Sequence, residues 1–435
     1  MVKLMKEKSI WIDSSDIEQY PSLNKDITTD VLVIGGGLCG VLCAYELKSR
    51  GIDCVVVEKD RIGKGITKNT TAFISAQHDT LYQDLIKEVG TKKAKEYLDL
   101  NLEAIERYKR LSKLYDIDYK ECNSSLYSMF DEDIILKEKD ALDQLNYQVK
   151  LIDNLPINEI KIAKGISFYN QATINPLKCI KELAKELVIY ENSEVIKLTN
   201  NEAYLKDNKI KFNKVIIATH YPFKNVNGFY FTKLTQRRSY VVGFKYPSIE
   251  GTYCSVDEDG LYFRSYNDYL IVGGYDRNHK NECYCNFSEE IKKIFNDAKI
   301  DYIWSNQDCV SIDGIPYIGK HSLMHPNWYV ASGFNLWGFT WAMASSFILS
   351  DLIQGKKQYE LTNPHRFYLK KQLFTNIATS LKNIVNFKTP RCKHLGCALK
   401  YNKIEKVWEC PCHGSRYDRK GDLLNGPSKR GINLD

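Results

Sequence analysis

The residues best equipped for chemistry lie near the end of the chain, in CKHLGCALKYNKIEKVWECPCHGSRYD, residues 392–418. They read Cys392-x-His394, fifteen further residues, then Cys410-x-x-His413, with Cys397 and Cys412 between and beside them. Four cysteines and two histidines within 22 residues can make a zinc site, a pair of disulfides or a redox cluster. A zinc finger groups its cysteines at one end and its histidines at the other, whereas here each arm supplies one of each. That arrangement suits a [2Fe–2S] cluster in which two thiolates hold one iron and two imidazoles the other. Imidazoles carry no charge, so such a cluster is easier to reduce than an all-thiolate one. Zinc and simple disulfides stay as the alternatives. The nine other cysteines (Cys39, Cys43, Cys54, Cys122, Cys179, Cys254, Cys283, Cys285 and Cys309) are scattered, mostly in apolar patterns, and read as small core residues.

A second constellation stands near the start. The apolar run DVLVI (30–34) leads into GGGLCG, a helical pattern and a second apolar run ending at Glu58. Gly35, Gly37 and Gly40 form G-x-G-x-x-G between strand and helix. The first glycine allows the tight turn, the second lets a pyrophosphate approach the backbone, and the third lets helix and strand pack closely. Glu58 stands where a carboxylate holds a ribose hydroxyl. The motif does not separate FAD from NAD. No second G-x-G-x-x-G follows residue 60, although enzymes that reduce a flavin with a nicotinamide usually carry one.

The elements that must position these groups are legible in outline. Residues 80–117 predict amphipathic helix, and 175–187 a helix opened by Asn175 and Pro176. Strand-like runs fill most of 190–275, residues 308–319 read as strands and turns, and 337–354 as helix. Residues 327–350 carry no charge but include Asn335 and Thr340, which predicts a buried glycine-rich turn and core helix rather than a membrane span. Residues 356–390 are polar and helix-leaning. With 435 residues, 43% hydrophobic and 26% charged, the chain is globular and large enough for two or three domains. The net charge of +7 is spread over 61 basic and 54 acidic residues without a long run of one sign, so no nucleic-acid partner is expected. The first residues lack an apolar signal segment, and the expectation is a cytoplasmic protein without an integral membrane segment.

The pieces VLVIGGGLCG, EKDRIGKGITKNTTAFISAQH, INPLKCIKELA, VIIATHYPF, RRSYVVGF, WSNQDCVSIDGIPYIG and SGFNLWGFTWA resemble the D-amino-acid-oxidase-like FAD-dependent oxidoreductases, over roughly residues 28–356. The resemblance implies an α/β flavoprotein with a Rossmann-like FAD-binding domain and an interleaved, sheet-rich substrate domain. It implies FAD contacts at Gly35, Gly37, Gly40, Glu58, Thr70, Thr71, Gly333, Gly338 and Thr340. CKHLGC and CPCHGSRYD resemble a Rieske [2Fe–2S] domain, which implies Cys392, His394, Cys410 and His413 as ligands. In the same resemblance Cys397 and Cys412 stand where respiratory and photosynthetic Rieske proteins place a disulfide. Ser415 and Tyr417 match hydroxyls that donate to cluster or ligand sulfur, and Gly426-Pro427 the loop that covers the cluster. The strands that usually precede the first ligand loop would have to lie in 357–390, which has little strand character. The expected Rieske domain is therefore a small, truncated all-β unit that leans on the flavoprotein or is labile.

The implied organisation is an N-terminal extension (1–27), an oxidoreductase domain (28–356), a linker (357–390) and a Rieske domain (391–435). Within the second, segments 28–79, 160–222 and 308–356 are expected to bind FAD, and 80–159 and 223–307 to form the substrate domain. A chain with both cofactors is expected to oxidise a small substrate at the flavin, an amine or amino acid by resemblance. Single electrons would leave through the cluster to an external acceptor protein or quinone. Arg237, Arg238, Arg264 and Tyr240 are candidates for substrate contact, an arginine there holding a carboxylate bidentately; ion pairs or flavin-phosphate contacts are the plainer role. His78 and His220 read as packed residues rather than bases. A redox sensor or electron-transfer module without small-molecule turnover is the alternative function, and a maturation or repair factor acting on a macromolecule is a third.

Overall fold

The computed structural model describes residues 7–224, 226–258, 260–275, 284–296, 298–356, 358–366 and 389–434. Most of the linker 357–390 therefore lies outside the described residues.

The strand Ile27–Ile34 is exposed at its start and buried on both faces over its last four residues, as a central parallel strand must be. It pairs in parallel with Cys54–Val57 on one side and Lys209–Ile217 on the other. Val188–Tyr190 and His325–Ser332 extend this sheet outward, the latter pairing with Tyr317–Ser322 in a hairpin. The helices Leu38–Ser49 and Gly338–Ile353 pack on one another against it. The second of these is buried almost all round, which is why residues 327–350 carry no charge. No helix among the described residues is long and apolar enough to cross a membrane.

A nine-stranded sheet forms the second body. Its order runs Ile300–Ser311, Leu234–Lys245, Tyr269–Gly274, Tyr262–Tyr266, Thr252–Ser255, Lys120–Ser128, Lys164–Thr173 and Phe73–Ile74, with Lys150–Ile152 on Lys164–Thr173 as well. Two assignments shift here. Phe73–Ile74 and Lys164–Thr173 fall in segments expected on the flavin side, yet both pair into this sheet. Alternating burial marks a strand but says nothing about which sheet receives it. The helical run expected over 80–117 is two helices, Leu81–Val89 and Thr91–Ser112, parted at Gly90 with φ +82°. A glycine in the left-handed region ends a helix, and apolar spacing alone does not register the break.

The last body is a four-stranded antiparallel sheet, Lys400–Asn402, Val407–Glu409, Arg416–Tyr417 and Leu423–Asn425. Its own core is small, with Cys392, Cys397, Leu399, Cys410, Tyr417 and Ile432 at its centre.

Candidate active site and metal centre

A cavity of about 760 Å³ opens between the parallel sheet and the nine-stranded one. That is within the usual range for cofactor pockets, roughly 300–1,000 Å³. Gly35 and Gly37 border it at the turn after Ile27–Ile34. Gly35 has φ +114°, and a Cβ there would lie 2.5 Å from the carbonyl oxygen of Ala218. Gly40 does not border the cavity; a Cβ on it would fall 1.9 Å from the Gly35 carbonyl oxygen. It seats the helix on the strand, as the third glycine of such a turn does. Glu58 accepts the Gly36 amide at 2.7 Å and the Asp60 amide at 3.0 Å, which pins its carboxylate across the turn and beside the cavity.

Thr70, Thr71, Gly333 and Gly338 also line the cavity. Thr340 is buried behind them, its hydroxyl 3.4 Å from the Ser75 carbonyl and 3.3 Å from His78 Nε2, and it does not border the cavity. Thr67 was missed by sequence reasoning. Its hydroxyl accepts the first-turn amide of Leu38 at 3.1 Å, and it borders the cavity. No spacing rule connects Thr67 with Leu38; only the fold brings them together.

Of the substrate-contact candidates, only Arg238 borders the cavity. It donates to the Ser305 hydroxyl at 2.7 Å and lies 4.0 Å from Glu405. Arg237, its neighbour on the same strand, stands opposite Asp308 in register and takes the other face. Arg264 is fully buried and donates to main-chain carbonyls, Ala72 at 2.7 Å, Thr71 at 3.2 Å and Ile174 at 3.4 Å. It anchors the loop that carries Thr70 and Thr71. Tyr240 donates to Glu405 in the last body at 2.8 Å. His78 is held by Tyr97 and the Ser75 carbonyl, each at 2.8 Å, and stacks on Trp337. Burial holds its pKa down at about 3. His220 is lowered to about 4 by the same cause, and its Nε2–H donates to the Gln307 carbonyl at 2.9 Å.

The cysteine–histidine segment folds into two matched turns. In the first, the Cys392 amide donates to the Cys397 carbonyl and the Gly396 amide to the Cys392 carbonyl, both at 2.9 Å. In the second, the Cys410 amide donates to Ser415 at 2.8 Å and the Gly414 amide to Cys410 at 2.9 Å. Each turn thereby presents one expected cysteine and one expected histidine. The rings of His394 and His413 come within 4.9 Å, centroid to centroid. Tyr417 places its hydroxyl 3.2 Å from the Cys392 sulfur, and the Ser415 hydroxyl oxygen accepts the Ser428 amide at 2.9 Å.

The protonation of His413 suits a metal. Its Nε2 faces the Phe231 carbonyl at 2.8 Å, and a carbonyl only accepts, so Nε2 carries the proton. Nδ1 is left as the unprotonated atom, buried and without a hydrogen-bond partner among the described residues. Burial keeps both imidazoles neutral, His394 down at about 3, as ligands must be. Contact with Cys392 favours the thiolate at Cys410. Cys397 and Cys412 are free thiols in the structure, and their sulfurs with that of Cys410 all lie within 4.8 Å of one another.

Residues of this last body also wall the cavity, among them Arg416, Asn425 and Lys429. Sequence reasoning missed them, as it missed Tyr221, which borders the cavity and packs edge-on against the two histidine rings.

Two families of known proteins match the chain. Residues 30–352 match the family of FAD-dependent oxidoreductases and residues 359–434 that of Rieske [2Fe-2S] domains. YhfW of Bacillus subtilis (strain 168), named for a Rieske 2Fe-2S centre, is 30% identical over 97% of this chain and 96% of its own. The iron–sulfur subunit 2 of the cytochrome b6-f complex of Nostoc sp. is 46% identical over 43 residues, 10% of this chain and 24% of its own. Among solved structures, L-proline dehydrogenase from P. horikoshii superposes with a TM-score of 0.66 at 21% identity, over 80% of this chain and 98% of its own.

Proposed function

The chain belongs to the FAD-dependent oxidoreductase family and carries a Rieske [2Fe–2S] domain, and on that premise we propose that it oxidises a small amine or amino acid and passes the electrons singly to an external acceptor. When bound, FAD supplies hydride acceptance and the cluster one-electron exchange. The observation that carries the proposal is the shared wall: Arg416, Asn425 and Lys429 of the cluster-binding body border the same cavity as Gly35 and Glu58.

Gly35 and Gly37 let a pyrophosphate approach the N-terminus of the helix Leu38–Ser49, and Glu58 takes a ribose hydroxyl. Gly40 keeps that helix seated, and Arg264 and Thr67 fix the loop and the helix start. Arg238, beside the cavity, is the residue placed to attract a substrate carboxylate. Cys392, His394, Cys410 and His413 hold the cluster, two thiolates and two neutral imidazoles. The expected donor class rests on the fold shared with L-proline dehydrogenase.

The test is anaerobic titration of the purified protein with a panel of amines and amino acids. Bleaching of the flavin bands followed by the EPR signal of a reduced Rieske cluster supports the reading. Dithionite-reducible centres that no amine reduces, with no turnover of a dye acceptor, would favour an electron-transfer module without small-molecule turnover.

A further inference from the structure

Three observations converge on Tyr221. It is 5% exposed, borders the flavin cavity, and meets both histidine rings edge-on, His394 at 5.6 Å and 89° and His413 at 6.3 Å and 71°. The chain reaches it through His220, a non-glycine residue at φ +64°, just past the end of the strand Lys209–Ile217. That conformation is uncommon and needs support, which comes from the His220 Nε2–H bond to Gln307 and from the Ser332 hydroxyl donating to the His220 carbonyl. Among the described residues the buried Tyr221 hydroxyl has no hydrogen-bond partner. The ring, not the hydroxyl, is what this geometry employs.

On the far side of His413 the flavoprotein main chain takes the remaining position. His413 is 2% exposed and its Nε2–H is donated to Phe231, and Gln307 donates to the neighbouring Gly414 carbonyl at 2.8 Å. The Nε2 edge of His413 is thus already bonded inside the chain. The loop residues Lys393 and Pro411 stay exposed.

We infer that the cluster exchanges electrons with the chain's own flavin cavity across the Tyr221 ring, and that His413 is closed to external acceptors, which must dock elsewhere on the cluster-binding body. This rests on the reading that a flavin and a cluster exchange electrons in this protein. The exchange moves one electron at a time, flavin oxidised and cluster reduced by one, with no bond made or broken at Tyr221 and its phenolic proton retained.

The test is flash photoreduction of the anaerobic holoprotein with 5-deazariboflavin, following the concentration-independent phase in which the flavin band recovers as the cluster band bleaches. In Tyr221→Leu that phase slows by about tenfold, while cluster content and EPR line shape match wild type. In Tyr221→Phe it keeps its wild-type rate. An unchanged rate in Tyr221→Leu, or equal slowing in Tyr221→Phe, overturns the inference. Absence of the phase from wild type overturns the underlying reading instead. A second measurement needs no variant: an alkyl-hydroxynaphthoquinone added to the reduced protein leaves the EPR g values unchanged, and a shift would show His413 open to quinones and overturn its closure.

Discussion

The hydroxyl of Tyr240 donates to the carboxylate of Glu405 across 2.8 Å, tying the long strand Leu234–Lys245 to the turn between two strands of the cluster-binding sheet. Glu405 also pairs with Arg416, both side chains 7% exposed. A residue expected among substrate contacts thus serves to dock one body on another. Glu405→Ala strips Arg416 of a buried partner and is expected to cost about 3 kcal/mol, whereas Tyr240→Phe loses one hydrogen bond, about 1 kcal/mol. Thermal unfolding read at the visible circular dichroism of the cluster measures both; equal small losses would show that the ion pair adds nothing.

Gly40→Ala places a methyl against the Gly35 carbonyl and 3.4 Å from the Val33 side chain. The helix must lift from the strand, at a cost of about 1–3 kcal/mol. The protein is expected to purify with little flavin, as judged by its 450 nm absorbance. Full flavin content in this variant would contradict the packing role.

His78 sets an acid limb. Its pKa is about 3 in the fold, from burial, against about 6.5 unfolded, so the fold favours the neutral ring. Its contribution is complete above pH 6.5 and falls as pH drops toward 3, by about 2 kcal/mol at pH 5. His220 adds in the same direction. Melting temperature read by flavin release should fall between pH 7 and 5, and His78→Gln should flatten that fall. A melting point level across this range would rule the account out.

The proposed reading divides the four thiols into two ligands, Cys392 and Cys410, and a flanking pair, Cys397 and Cys412. Cys392→Ala or Cys410→Ala is expected to abolish the cluster's visible bands. Cys397→Ser or Cys412→Ser should leave them and shorten their lifetime in air, the expectation if the latter two form a disulfide. Because Cys397, Cys410 and Cys412 crowd together, the opposite pattern, with Cys397→Ser as damaging as Cys410→Ala, would point to a different metal held by that trio.

Arg264→Lys keeps the charge but cannot span the carbonyls of Thr71, Ala72 and Ile174. FAD affinity is expected to fall by about tenfold, roughly 1.4 kcal/mol, through the loop carrying Thr70 and Thr71. A direct substrate role would instead raise KM with flavin content unchanged.

The glycine turn, the position of Glu58 and the two cysteine–histidine turns were legible because each works over a few residues of chain. Gly40 must be glycine to meet Gly35 five residues earlier, and Cys410-x-x-His413 makes one turn whatever surrounds it. Helix and strand identity followed from the same short-range patterns. What those patterns lack is any record of pairing. Lys164–Thr173 could have joined either large sheet, and Arg264 could have faced substrate rather than backbone.

Composition and spacing by themselves determined that this chain holds a dinucleotide turn and a cysteine–histidine pair of arms, since local backbone geometry leaves those residue types few other uses. Tertiary structure alone decided how the two relate. Phe231 meets His413 across 182 positions and Tyr240 meets Glu405 across 165, and no periodicity reaches that far. Such contacts form because the cluster-binding sheet has too small a core to bury its own polar flank and completes it on the flavoprotein.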